Sequence, residues 1–381
     1  MTATTPLAIT RLTLTDFRGY AGLRLDVTAA TIALSGPNGA GKTNLLEAIS
    51  LLTPGRGLRG ASFDDLARIG GSGGWAVACD LDAAGGPVSL GTGWSPGNGE
   101  GRAVMIGGRA ERSSGALGRH MRLLWLTPAM DRLFAGPASD RRRFLDRLVA
   151  TFDPEHGSRL GVFEKVMRER NLLLDDSRPD SAWISSLEAP MAEAGIAIAA
   201  ARIAMAEVLQ GHIAMAREGS AFPWADIAVE GEIEALIAAM PAVRAEDEYR
   251  RLLAESRSSD KAAGRTLRGP HRSNLAVRHG PKAMPAAHCS TGEQKALLIG
   301  LILAQARAVK AEARVAPVLL LDEVAAHLDA ERRQGLFAAL AELGCQAWMT
   351  GTDAHLFEGL GHDTTVFHVE DARVSEVTGL G

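Results

Sequence analysis

Between residues 8 and 34 apolar positions alternate with polar ones. They fall at Ile9, Leu12, Leu14 and Phe17, then Leu23, Leu25 and Val27, then the run Ile32-Ala33-Leu34. Period-two spacing predicts strands with one buried face. The last run feeds a glycine-rich segment, after which Asn44-Leu45-Leu46-Glu47-Ala48-Ile49 has the spacing of a helix. Residues 70–118 are glycine-rich with short β-like pieces at 75–78 and 104–106, which predicts a small, loosely connected β region. From 139 to 257 the pattern turns helical, with one helix opening at Arg141-Arg142-Arg143-Phe144-Leu145-Asp146 and others over 163–174 and 191–218. Heptads are too brief there for a long coiled coil. Strand-like patterning resumes at 275–277. A helix over 291–311, a buried strand over 318–321, a helix from 330 and a strand over 345–350 follow. No internal repeat or low-complexity tract appears.

This order predicts an α/β protein of two lobes, with a helical insert inside an α/β frame. A net charge of −4 removes any overall attraction to nucleic acid, so DNA contacts would need local basic patches. Cys79, Cys289 and Cys345 are odd in number, far apart and without C-x-x-C spacing. That pattern excludes a disulfide framework or zinc finger and suits a reducing cytosol. Met1-Thr2-Ala3-Thr4-Thr5 lacks the charged and apolar regions of a signal peptide. The alanine-rich stretch 195–209 is broken by Arg202 and Glu207, as in a packed helix rather than a membrane span. A cytoplasmic protein without a membrane partner is expected.

The chemistry sits at the two ends. Gly36-Pro37-Asn38-Gly39-Ala40-Gly41-Lys42-Thr43 fits G-x-x-x-x-G-K-[ST] between a predicted strand and a predicted helix, the context that a phosphate-binding loop requires. Its backbone N–H groups and the helix N-terminus would cradle the phosphates of ATP. Lys42 would meet the β- and γ-phosphates, and the Thr43 hydroxyl would ligate Mg²⁺. Far along the chain, Val318-Leu319-Leu320-Leu321 ends in Asp322-Glu323. Two acids at the exit of a buried strand need a partner. Mg²⁺ held through Asp322 would supply it, leaving Glu323 as general base for the attacking water. The alternative is a helix-capping acid beside a solvated one. Ser290-Thr291-Gly292-Glu293 fits a capping box and also presents a helix N-terminus as an anion site. If its own phosphate loop is out of reach, the anion would be the γ-phosphate held by a second copy, and ATP would join a dimer.

Further marks run in order along the chain. They are Asp16-Phe17-Arg18-Gly19-Tyr20, Gly36 to Asn44 with Leu45-Leu46-Glu47-Ala48, Gly57-Leu58-Arg59 and Arg141-Arg142-Arg143-Phe144-Leu145-Asp146. Gly269-Pro270-His271-Arg272, Ser290-Thr291-Gly292-Glu293-Gln294-Lys295 and Leu321-Asp322-Glu323 complete the set. Together they resemble the RecF recombination mediator family. The resemblance implies an SMC-like ABC-type ATPase head, a mixed sheet with flanking helices and a small β region. Residues 1–130 and 266–381 would form the head, and 131–265 a helical second lobe. It further implies an ATP-dependent homodimer, DNA binding (duplex, gapped or junction) and slow, DNA-stimulated hydrolysis. Loading of RecA at gaps with RecR and RecO, in repair, replication and the SOS response, belongs to the same implication.

By position, Ser290 and Gly292 correspond to the signature contacts made in trans, and Ala326-His327-Leu328-Asp329 to the loop that touches the partner. Thr350-Gly351-Thr352-Asp353 stands where the switch residue belongs. The usual His is missing there, so γ-phosphate sensing falls to Thr352 or Asp353, with His355 nearby. No Gln occurs between Asn44 and Val208, so the usual Gln link to the helical lobe needs another residue. Ser273-Asn274 replaces the acids common after Gly-Pro-His-Arg and is given no catalytic role.

Candidate DNA contacts are Arg56, Arg59, the run Arg141, Arg142 and Arg143, and Arg265, Arg268 and Arg272. A solvated helix face competes as an explanation for each cluster. Arg18 reads either as a phosphate contact or as the partner of an acid. A transporter ATPase subunit is the second reading, opposed by the absent Gln and the long insert. A non-hydrolysing scaffold is the third, opposed by the intact Lys42, Thr43, Asp322 and Glu323.

Overall fold

The computed structural model of the chain describes residues 7–83, 85–97, 101–177 and 180–377. Met1 to Thr5, read above for a leader, lie outside that set. The alternating stretch becomes β1 (Ala8–Phe17), β2 (Tyr20–Asp26) and β3 (Thr31–Ser35), and the glycine-rich loop leads into α1 (Lys42–Ser50). The next stretch corrects the expectation of a loosely connected β region. It forms β4 (Trp75–Asp82), β5 (Val88–Trp94), β6 (Ala103–Ile106) and β7 (Arg109–Glu111). These join the first two strands in one antiparallel sheet of order β2-β1-β4-β5-β6-β7. Leu12 pairs with Leu25 on one side and Cys79 on the other, and all three are buried. That register puts one face of the sheet into the core.

After β8 (Leu123–Leu126) come α2 (Ala138–Ala150), α3 (His156–Asp175), α4 (Ser181–Met215) and β9 (Ala225–Glu230). Then follow α5 (Glu232–Ala239), α6 (Ala242–Glu255), α7 (Arg257–Ala263), β10 (Asn274–His279) and β11 (Met284–Pro285). The chain ends with α8 (Thr291–Ala313), β12 (Val318–Leu321), α9 (Ala330–Leu343), β13 (Ala347–Gly351), β14 (Thr364–Glu370) and β15 (Arg373–Glu376). A mixed sheet of order β15-β14-β3-β13-β12-β8 is parallel except for β15. Near-continuous burial of β3, β12 and β13 follows from covering both faces of a parallel sheet.

Two compact units result. The first comprises Met1–Asp131, Met215–Pro223 and Ser290–Gly381, and the second Arg132–Ala214 and Trp224–Cys289. The return to the first unit thus falls at Ser290, whereas the sequence places it at 266. Residues 274–279 pair with 225–230 in a three-stranded sheet of order β11-β10-β9, which keeps this segment in the second unit. In the first unit, α1 packs on β1 and β13, so Leu45, Leu46 and Ile49 share one core with Ile9, Leu14 and Trp348. Buried Gln346 joins the two sheets by accepting from Ile9 N (2.9 Å) and donating to Ile9 O (2.9 Å). Arg102 holds the far end of α1 by donating to Leu51 O and Thr53 O.

The second unit has its own core, with Phe163, Met191, Ile198, Tyr249 and Leu253 at its centre. Within it lies Arg170, fully buried. Its guanidinium donates to Glu188 (3.0 Å), Asp260 (2.8 Å), Thr266 (3.0 Å) and Leu253 O (2.7 Å). Helix α4 begins ten residues before the 191 read from sequence and carries Pro190 inside it. Asp180 fixes that start, its carboxylate accepting from Ala182 N and Trp183 N. Helix α2 opens at Ala138 behind Pro137 rather than at Arg141, so its arginines lie past the first three positions.

Candidate nucleotide site

The loop between β3 and α1 is shaped by glycines at positive φ, where a side chain would be strained. Gly36 has φ 141°, and a Cβ on it would fall 2.1 Å from Val369 O. Gly41, at φ 110°, precedes α1 with the Tyr20 hydroxyl beneath it, donating to Gly41 O at 3.2 Å. Left-handed backbone lets N–H groups converge where side chains would otherwise stand. Pro37, Asn38 and Gly39 form the exposed tip, while Ala40 is buried and Asn44 lies in the first turn of the helix.

Lys42 is only 4% exposed, and its ammonium donates to Gly36 O (2.7 Å) and Pro37 O (2.8 Å). Burial pushes its pKa down, and the charges of Glu323 and Asp322 oppose that shift from a distance. A buried cation so placed, in a cradle of left-handed glycines, fits a polyphosphate.

The two distant motifs meet here. Thr43 Oγ1 donates to Asp322 Oδ1 (2.9 Å), and Thr350 Oγ1 donates to the same oxygen (2.7 Å). The sheet brings them together, because β3 and β12 flank β13 in parallel register. Glu323 follows with its N–H on Thr350 Oγ1 (2.8 Å) and with φ 53°. A left-handed conformation costs a non-glycine residue about 1–2 kcal/mol, so the surroundings must impose it. Asp322 is 4% exposed and Glu323 intermediate, which is compatible with a metal-directed carboxylate and a water-facing base. Thr43 and Asp322 could therefore hold a hydrated Mg²⁺ at the phosphate end of the loop.

Ser290 caps α8 with both halves of the capping box. Ser290 Oγ accepts from Glu293 N (3.4 Å), and Glu293 Oε2 accepts from Ser290 N (3.0 Å). Ser290 and Gly292 are exposed, so this helix end faces outward from its unit. Asp329, at the end of the Ala326–Asp329 loop, caps α9 by accepting from Arg332 N (2.8 Å). The side chain of His327 lies outside the description. Asp353 accepts from His355 N, and Thr352 and Asp353 are both exposed.

Of the two readings of Arg18, the structure shows the acid partner. Its guanidinium makes a bidentate pair with Glu47 (2.8 Å to each oxygen). Glu47 is buried in α1 and also receives Arg59 (2.9 Å), which in addition donates to Asn44 (2.9 Å). A buried carboxylate recruits such cations because it would be costly unpaired. Arg56 lies over the Phe63 ring at 5.8 Å.

The arginine run divides by role. Arg141 donates to Asn274 and to the carbonyls of Phe134 and Gly136, and Arg142 donates to Ser273 O (2.7 Å). Both are thus spent on local structure. Arg143 is exposed and pairs only with Asp140, in the adjoining turn, among its described contacts. Arg268 pairs with Glu232 (2.8 Å), while Arg265 and Arg272 are exposed. Sequence reasoning named Thr350, Glu47 and Tyr20 only within longer motifs and gave none of them its contact: Thr350 on Asp322 and Glu323, Glu47 on Arg18, Tyr20 on Gly41 O. A hydroxyl residue within the strand at 345–350, directly after the residue opposite Leu321, was the available signal for Thr350.

Comparison with known proteins places the fold and the family. A family model described as an AAA domain matches residues 11–72. The DNA replication and repair protein RecF of Mesorhizobium japonicum is 56% identical over 353 residues, covering 92% of this chain and 93% of its own. Its namesake in Rhizobium meliloti is 50% identical, covering 96% and 98%. Among solved structures, the recombination mediator protein RecF-ATPrS in the RecFOR pathway superposes with TM-score 0.86 at 22% identity, covering 99% and 100%. An Smc head domain from Pyrococcus furiosus matches at TM-score 0.54 and 15% identity, covering 97% and 96%. The fold is therefore that of RecF and of SMC heads. With curated relatives at half or more identity over nearly its whole length, the chain belongs to the RecF family of DNA replication and repair proteins.

Proposed function

We propose that this chain is a DNA-binding ATPase of recombinational repair and replication-fork maintenance, working as a clamp that closes when two copies share their nucleotide sites. The observation that carries this reading is the junction of Thr43, Asp322, Thr350 and Glu323 beside Lys42, a hydrolytic set rather than a passive binding loop. Relatives named for DNA replication and repair, and structures named as RecF-ATP, support it. Nothing comparable favours a transporter subunit.

Mg²⁺·ATP, when bound, supplies the phosphoanhydride to be cleaved and a Lewis acid on its phosphate oxygens. The residues of the chain do the rest. Lys42 leaves its two loop carbonyls to meet the phosphates, and its charge is favoured by that exchange. Thr43 and Asp322 would hold the cation, with Asp322 oriented by two hydroxyls. Glu323 accepts the proton of the attacking water. The helix tip at Ser290 and Gly292 closes over the site of a second copy, so dimer formation and turnover are coupled.

Exposed cations, Arg143, Arg56, Arg59, Arg265 and Arg272, supply phosphate contacts to duplex DNA near a single-strand gap. RecR, with RecO, would use the clamped state to load RecA. The test is DNA binding with and without ATP, on duplex, single-stranded and gapped substrates at two salt concentrations. ATP-dependent binding that weakens with salt, with hydrolysis stimulated by DNA, supports the reading. Hydrolysis indifferent to DNA and binding indifferent to ATP contradict it.

A further inference from the structure

Thr350 is fully buried near the end of β13, beside the point where β12 stops. Up to Leu321 the two strands are in parallel register, with Leu321 opposite Met349. Two residues after Leu321 the pattern changes. The Glu323 N–H donates to a side-chain oxygen, Thr350 Oγ1, at 2.8 Å. That hydroxyl sends its own proton to Asp322 Oδ1 at 2.7 Å. A carboxylate only accepts, a peptide N–H only donates and a hydroxyl has one proton, so the direction of both bonds is fixed.

The neighbouring residue is held differently. Asp322 N donates to Leu126 O of β8 at 2.9 Å, an ordinary main-chain bond. Asp322 also keeps the Thr43 hydroxyl as a second partner. Glu323 has the left-handed φ of 53° and turns away from the strand at this residue. Such a conformation persists only where neighbouring groups enforce it. The Thr350 hydroxyl is the group that meets its N–H.

From this geometry we infer that Thr350 is a positioning residue for ATP hydrolysis, aiming the Glu323 carboxylate while it orients Asp322. The inference rests on the hydrolytic role of Glu323 proposed above. Thr350 is fully buried and reaches the site through Glu323 and Asp322, so its removal separates turnover from binding.

The experiment compares Thr350→Val, which keeps shape without the hydroxyl, and Thr350→Ser, which keeps the hydroxyl, with the wild-type protein and Glu323→Gln. Affinity for a fluorescent ATP analogue and steady-state hydrolysis are both measured. Thr350→Val should lower kcat by about tenfold to a hundredfold, the range for a misaimed catalytic group, with affinity within about twofold of wild type. Thr350→Ser should restore turnover at the same affinity. The inference is overturned if Thr350→Val turns over like wild type, if Thr350→Ser falls equally far, or if affinity is lost together with kcat. If Glu323→Gln itself hydrolyses ATP like wild type, the hydrolytic reading fails instead.

Discussion

Thr43 and Asp322, 279 positions apart in sequence, share a hydrogen bond of 2.9 Å from Thr43 Oγ1 to Asp322 Oδ1. This contact joins the phosphate loop to the acidic strand end and makes one site of two motifs. Asp322→Asn keeps the shape but weakens the attraction for a divalent cation. It should leave ATP binding without Mg²⁺ close to wild type while abolishing the Mg²⁺-dependent gain in affinity. Titration of a fluorescent ATP analogue with and without Mg²⁺ checks this.

Lys42→Ala removes a buried cation that only a polyphosphate would fully satisfy. Nucleotide affinity should fall by about 2–3 kcal/mol, the scale of a charge-assisted hydrogen bond. Thermal stability without nucleotide should hold or rise, because the buried charge is costly by itself. Calorimetry with ATP and a melt without it separate the two effects.

Gly36→Ala forces a Cβ to within 2.1 Å of Val369 O at φ 141°. A destabilisation of about 2 kcal/mol or more is expected, since the backbone on both sides must shift. Urea unfolding measures it.

In the second unit, Arg170→Met leaves Glu188 and Asp260 buried without that guanidinium, although Arg257 still reaches Glu188 (2.5 Å). Breaking a buried ionic group from one side costs about 3–5 kcal/mol. A chemical-denaturation series on this variant checks the value.

Asp146 gives the pH dependence. Burial raises its carboxyl, but hydrogen bonds from His156 (2.8 Å) and Arg202 (2.7 Å) outweigh that and bring its pKa below the usual carboxylate value. A depressed acid contributes stability that is fully present above its unfolded value of about 4 and is lost as pH falls through its folded one. Asp146→Asn should thus flatten the acid limb of stability below about pH 4. Melting temperature measured against pH for both proteins reveals it.

Much of the site was legible because its signals are local. The loop 36–43 was flanked by the right periodicities, the strand Val318–Leu321 fell where its apolar run lies, and Ser290 to Glu293 form the capping box that their spacing implies. The antiparallel sheet was harder to read. Strand β5 carries Gly91 and Gly93 among its seven residues, which weakens its strand signal, and its order comes from β4 and β6. Pairings across long sequence distances were invisible. Arg141 and Arg142 look like a cationic surface in one dimension, but meet carbonyl groups in three. Arg18 and Glu47 lie on different elements, and nothing in either segment alone announces their bond.

The trans arrangement is tested most directly by the molar mass of Glu323→Gln in solution with ATP and Mg²⁺, measured by light scattering after size exclusion. Slowed hydrolysis should hold the closed form, giving twice the monomer mass with ATP and the monomer mass without it. A monomer under both conditions, at concentrations where ATP is shown to be bound, would contradict a site shared between two copies.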